Sequence, residues 1–115
     1  MIDYVPQLVS ALNTVLPTKH ELALTGKEKT PCISFQERDN AAMETGDTLG
    51  YSRFSFTIKV WSHEIADLQK YSLQIDNALR PIGFKRVSAY ELADRQSTMK
   101  QKILTYEALA LEEFN

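Results

Sequence analysis

Residues 51–62 read YSRFSFTIKVWS. Phe54, Phe56, Ile58 and Val60 fall on one side of an extended chain, with Arg53, Ser55, Thr57, Lys59 and Trp61 on the other. Alternation of that length, rich in aromatic and β-branched residues, specifies a strand with one face buried. The period then changes. Ser62 is placed to accept an amide hydrogen bond as a helix cap, and Glu64 sits where a carboxylate suits the helix dipole. Ile65, Leu68, Ser72, Ile75 and Leu79 follow at helical spacing and make an apolar stripe that can fold back over the strand. Asp76 and Arg80 stand four apart in the favourable acid-before-base order, and Pro81 with Gly83 ends the helix.

Working outward, Ile2, Val5, Leu8, Val9, Leu12, Val15 and Leu16 recur at helical spacing. Pro6 lies in the first turn, where amides lack partners anyway, and Pro17 closes the helix. Residues 20–25 (HELALT) alternate and residues 31–38 alternate again, with the polar Gly26-Lys27-Glu28-Lys29 between them, which predicts a hairpin. Residues 39–50 (DNAAMETGDTLG) have no strand period and read as a long loop, of the kind that is functional or orders against a partner. Beyond Gly83, residues 84–92 read as a strand, 93–98 as a turn and 99–111 as a final strand. The expected fold is α+β in the order α-β-β-β-α-β-β: a mostly antiparallel sheet of about five strands, two helices on one face, one domain over residues 1–115.

The final strand puts Met99, Ile103, Leu109 and Leu111 on one face and Leu104, Tyr106, Ala108 and Ala110 on the other. A sheet with one face in water should not be apolar on both. Two helices suffice for one face, so a second subunit is expected on the other.

Bulk properties narrow the classes. An apolar fraction of 43% and a charged fraction of 24% are those of an ordinary globule. A formal charge of −2 argues against a general nucleic-acid binder, and no window is apolar enough to cross a bilayer. A lone Cys32 cannot form an internal disulfide, which fits a reducing cytoplasm. Charge is unevenly placed. Residues 37–50 hold Glu37, Asp39, Glu44 and Asp47 against Arg38, whereas residues 80–102 hold Arg80, Lys85, Arg86, Arg95, Lys100 and Lys102 against Glu91 and Asp94. Such blocks either solvate two faces or form complementary contact surfaces. The contact surface expected here comprises Asp39, Glu44, Asp47, Lys85, Arg86, Lys100, Lys102 and Tyr106.

Chemistry-bearing patterns are few. His63 and Asp67 lie four apart, but no third metal ligand is nominated. Cys32 has no companion, the four glycines make no phosphate loop, and no serine sits in a nucleophile elbow. The aromatic strand lacks the single mixed face of a base-stacking sheet, since Phe54 and Phe56 lie opposite Arg53 and Lys59. The expectation is a non-enzyme with no cofactor and no metal.

Three passages carry a resemblance: ALNTVLP near the start, FSFTIKVWS through LRPIGF in the middle, and KQKILTYEALA near the end. In layout and cadence the chain resembles the tail terminator (tail completion) proteins of long-tailed bacteriophages. That resemblance implies a homo-oligomeric ring, typically a hexamer, that caps the tail tube, halts its growth and joins the tail to the head. The implied partners are the tail-tube protein and a head-completion or connector protein, with neither membrane nor specific nucleic acid. The implied place is the head-proximal end of the virion tail, after assembly in the host cytoplasm. The competing roles are another head–tail connector or neck protein, and a small ligand-binding module of ferredoxin-like layout.

Overall fold

The computed structural model describes residues 3–44, 49–93 and 98–113. Helix α1 (Val5–Asn13) leads into a three-residue strand β1 (Thr18–His20). Two long strands follow, β2 (Cys32–Glu44) and β3 (Leu49–Ser62), then helix α2 (Ile65–Leu79), and strands β4 (Lys85–Ala93) and β5 (Lys100–Glu113). They form one five-stranded sheet in the order β1-β2-β3-β5-β4. All pairs are antiparallel except β1 with β2, so the fold is α+β with a mostly antiparallel sheet.

Strand β3 is central, paired along its length with β5 and from Gly50 onward with β2. Its even-numbered side, Phe54, Phe56, Ile58 and Val60, is buried, as the alternation specifies. Leu8, Leu12 and Leu16 from the α1 region and Leu68, Ile75 and Leu79 of α2 join those residues in one core, so both helices cover the same face. Each fully buried aliphatic side chain contributes about 1.5–3 kcal/mol. Tyr4, just before α1, stacks on Phe54 with ring centroids 4.2 Å apart. Phe84 meets Phe56 edge-on at 5.1 Å, and Tyr106 of β5 stacks on its other flank at 5.9 Å. The aromatic strand is therefore clamped by aromatic residues from three other parts of the chain.

Helix α2 starts later than its sequence cap suggests. Ser62 Oγ accepts the Glu64 amide (3.1 Å) and donates to Asp67 (2.7 Å), while Glu64 occupies the cap position. Ile65 consequently lies outside the buried stripe and is 64% exposed. The helix ends as expected. Gly83 adopts φ 95°, its amide reaches the Arg80 carbonyl, and the Phe84 amide reaches Leu79. This is the paired-bond stop that a left-handed glycine permits.

Two expectations are corrected. Residues 20–25 are not a strand, and no hairpin joins them to β2. Thr18–His20 instead runs parallel to β2, with Thr18 opposite Ile33, and the chain then turns through a short 3₁₀ segment, Glu21–Ala23. His20 Nδ1 accepts the Leu22 amide at 3.0 Å, so a local side-chain bond competes successfully with strand pairing. Leu22 and Leu24 gave the alternation, but Leu22 points into solvent. The second correction concerns residues 39–50. Strand β2 continues to Glu44 and β3 begins at Leu49, so most of the expected loop is paired strand. Pairing with β3, itself held by β5, imposes the strand where side chains give no periodic signal. Asp47 and the reversal expected at 94–97 lie outside the described residues.

The three long strands outrun the helices. Thirteen or fourteen residues at about 3.3 Å per residue span roughly 45 Å, whereas the 15 residues of α2 span about 22 Å. The molecule is accordingly elongated, 53 × 26 × 23 Å.

Candidate interaction surface

With both helices on one side, the opposite sheet face is covered by described residues at one end. The connection from β1 to β2 crosses it there. Glu21 reaches Lys59 at 2.6 Å, Trp61 Nε1 donates to the buried Ser34 hydroxyl at 2.9 Å, and Leu24 helps roof Cys32 and Trp61. That connection is organised by Glu28, whose carboxylate accepts the Thr25 and Gly26 amides, the Thr25 hydroxyl and Lys19. The Thr25 amide bond, helped by the hydroxyl and Lys19, holds the Glu28 pKa down at about 2. Beyond this cover lies a trough of about 580 Å³ lined by Gln36, Arg38, Thr57, Lys59, Ser88, Tyr90, Leu92, Ile103 and Thr105.

Strand β4 is exposed along its whole length and closes one edge of the sheet. A bulge at Val87 decides what it shows: Arg86 faces Tyr106, but Ser88 already faces Thr105. Arg86 is thereby sent to the helix side, while Ser88, Tyr90 and Leu92 turn to the trough. Val87, Tyr90 and Leu92 are 55, 52 and 47% exposed. These apolar edge residues were not marked by sequence reasoning. The signal was present as a strand with no consistent buried face, but the bulge concealed which residues share a side.

On the helix side, Asp76 is a hub. Tyr106 Oη donates to it at 2.8 Å, Arg86 Nε lies at 3.3 Å and Arg80 at 2.9 Å. Burial pushes the Asp76 pKa up, but the Tyr106 hydrogen bond and the two arginines outweigh it and hold the carboxyl below its usual range. The Tyr106 phenol is raised by burial and by the adjacent carboxylate. Tyr4 is raised for the same two kinds of reason, burial first and then Glu37.

The eight residues expected to form a contact surface fare unequally. Tyr106 is a correction: it is 0% exposed and belongs to the core, because its face of β5 lies under α2. Lys102 pairs with Glu91 at 3.0 Å, and Lys100 donates to the carbonyls of His63 and Thr98, so both are engaged within the chain. Arg86 is held by Asp76 yet remains about half exposed. Lys85 is exposed and makes no ion pair with another described residue. Asp39 is exposed on β2, Glu44 ends that strand, and Asp47 lies outside the described residues. The structure thus puts Asp39 and Lys85 on strands at opposite sides of the sheet, separated by β3 and β5, about 14 Å at ordinary strand spacing.

The remaining titratable candidates are locally explained. His63 Nδ1 contacts the Thr98 hydroxyl at 2.6 Å, and Asp67 is taken by Ser62. Cys32 is buried, which pushes its thiol pKa up. Among the described residues no three His, Cys, Asp or Glu side chains cluster as metal ligands, and no helix is long and apolar enough to cross a membrane. No family model matches the chain, and no curated protein matches it.

Proposed function

We propose that this chain is a structural subunit of a phage tail, a tail terminator that assembles as a ring on the tail tube and presents the joint to the head. The observation that carries the reading is the apolar-studded edge at β4, with which no described strand pairs on its outer side, set across the sheet from an acidic β2. Unlike surfaces on opposite sides of one subunit are what a head-to-tail ring needs, because each copy must present both halves of the contact. The trough, with Tyr90 and Leu92 on its rim and Ile103 in its floor, adds an incompletely covered sheet face. The layout resemblance in the sequence supplies the tail-specific part of the proposal: tube protein below, head-completion protein above, and a place in the virion.

Light scattering and negative-stain microscopy of the purified chain should give closed rings, and an antibody to it should label tailed particles at the head–tail joint. Label at the distal tail, or on no particle, overturns the reading. A small-ligand module has one observation in its favour, the pocket of about 180 Å³ between Leu24, Cys32, Trp61 and Met99. That is below the roughly 300 Å³ of ordinary ligand sites. A ligand-induced rise in melting temperature for a monomer would favour it.

A further inference from the structure

We propose that the free chain, before it assembles, pairs with a second copy of itself through the outer edge of β4, antiparallel about a two-fold axis at Ala89. The pair hides the edge that the ring contact uses. This goes beyond the ring reading, because it concerns the dilute chain and stands or falls separately.

The edge invites a cover. Among the described residues no strand pairs with the outer side of β4, and the strand is exposed from Lys85 to Ala93. An open strand edge is a template for another strand. Apolar side chains also gather there. Of the seven large apolar residues that are exposed among those described, four lie on β4 or beside it: Val87, Tyr90, Leu92 and, across a shallow depression shared with Arg86 and Ala89, Leu73 of α2. Exposure concentrated in this way marks a contact surface, whereas scattered single residues do not.

The occupant is identified by the fit of the edge to its own inverse. Counted by their partners on β5, which step over Val87, Arg86 is level with Tyr106, Ala89 with Leu104 and Glu91 with Lys102. Arg86 and Glu91 therefore stand two positions to either side of Ala89. A two-fold axis at Ala89 sets Arg86 of each copy opposite Glu91 of the other, on the helix side. On the trough side it sets Ser88 opposite Tyr90. Every opposed pair then shares a sheet face, as an antiparallel ladder requires, and two opposite-charge pairs form at once. Moving the axis one position, to Ser88 or to Tyr90, puts Arg86 opposite Ala89 or Ala93 and loses both.

The charges can meet without breaking their present contacts. The Arg86–Asp76 pair runs through Nε and the Glu91–Lys102 pair through Oε1, so both persist while the Arg86 terminal nitrogens bond Glu91 Oε2 of the other copy. The axis is perpendicular to the sheet, so the helices of both copies stay on one side. The two depressions beside Leu73, each of about 170 Å³, then join over Ala89, whose small side chain leaves them room. A self-complementary contact is complete with two copies, whereas a ring needs several, so mass action favours the pair in dilute protein and the ring as concentration rises.

The experiment follows the full chain at increasing concentration by sedimentation and amide exchange. The dilute chain should be a dimer with slowed exchange in β4. Ala89→Cys should give disulfide-linked dimers and nothing longer on oxidation. Leu92→Cys, about 20 Å from its own copy across the axis, should give none. Cys32 is buried and stays silent. Glu91→Arg sets like charges opposite each other and should weaken the dimer about tenfold, and adding Arg86→Glu should restore it. Should the charge variants lose their near-ultraviolet dichroism, the Ala89→Cys link and the β4 exchange decide alone. A monomer at every concentration, a dimer with fast-exchanging β4 amides, or Leu92→Cys linking as readily as Ala89→Cys overturns the pairing. Rings that form with no dimer below them overturn it and leave the ring reading standing. Dimers linked through Ala89→Cys, from a chain whose native form makes no ring at any concentration, support the pairing and overturn the ring.

Discussion

Replacing Tyr106 by Phe removes one oxygen from the interior and keeps the ring that stacks on Phe56. In the native chain that oxygen donates to Asp76 Oδ1 at 2.8 Å, beside Arg86 and Arg80, and the carboxylate is only 17% exposed. A hydrogen bond to a charged group contributes about 1.5–3 kcal/mol. The stacking contact survives, so Tyr106→Phe should cost about 2 kcal/mol at neutral pH. With a urea slope of about 1.5 kcal/mol per molar, the unfolding midpoint should fall by roughly 1.3 M. The pH dependence is the sharper test. The Asp76 pKa is depressed in the folded state, so its stabilisation is complete above the unfolded value of 3.8 and is lost as pH falls through the folded value. Tyr106 lowers that pKa, so the gap between wild type and Tyr106→Phe should narrow as Asp76 protonates. Urea titrations at pH 7 and at successive steps below pH 4 read it directly. Equal stability at pH 7, or a gap that stays constant into acid, would refute the assignment of Asp76 as the charged hub.

Phe56→Ala should cost about 3–5 kcal/mol, a large share of a small domain's total, because Phe56 is clamped by Tyr4, Phe84 and Tyr106; equilibrium unfolding checks it. Gly83→Ala meets no atom within 4 Å of the added methyl, yet its φ of 95° is a left-handed one, so a loss of about 1–2 kcal/mol in thermal or urea unfolding should be purely conformational. Ile65→Ser should change stability by less than about 0.5 kcal/mol, since Ile65 is mostly exposed; a core-sized loss would contradict the helix start described above. Glu28 should titrate near pH 2 in a carbon-detected NMR series. Its contribution to holding the 25–28 turn is complete above about 4.5 and vanishes as pH falls through 2, so an ordinary carboxylate value would break the turn's account.

Sequence alone determined the layers of this protein. Alternation in residues 51–62 and the Leu68–Ile75–Leu79 stripe are periodic, and periodicity reports burial directly because a residue's side follows from its position. The Gly83 stop was equally legible, since only a glycine tolerates that backbone locally. Tertiary structure decided what non-local pairing controls. Residues 39–44 carry no strand period, and only the partner β3 makes them a strand. Thr18–His20 lies parallel to β2 because the Pro17 carbonyl engages the Ile33 amide, a contact no local pattern announces. The contact surface shifted for the same reason. Lys100 and Lys102 look available in a list of charges, but folding brings His63, Thr98 and Glu91 to them. Tyr106 looked like half of an apolar excess and proved to be core once α2 lay over it. The bulge at Val87 then sorted Arg86 from Tyr90 and Leu92. One extra residue in a ladder reverses the facing of everything after it, and nothing in the flanking sequence marks where that residue falls.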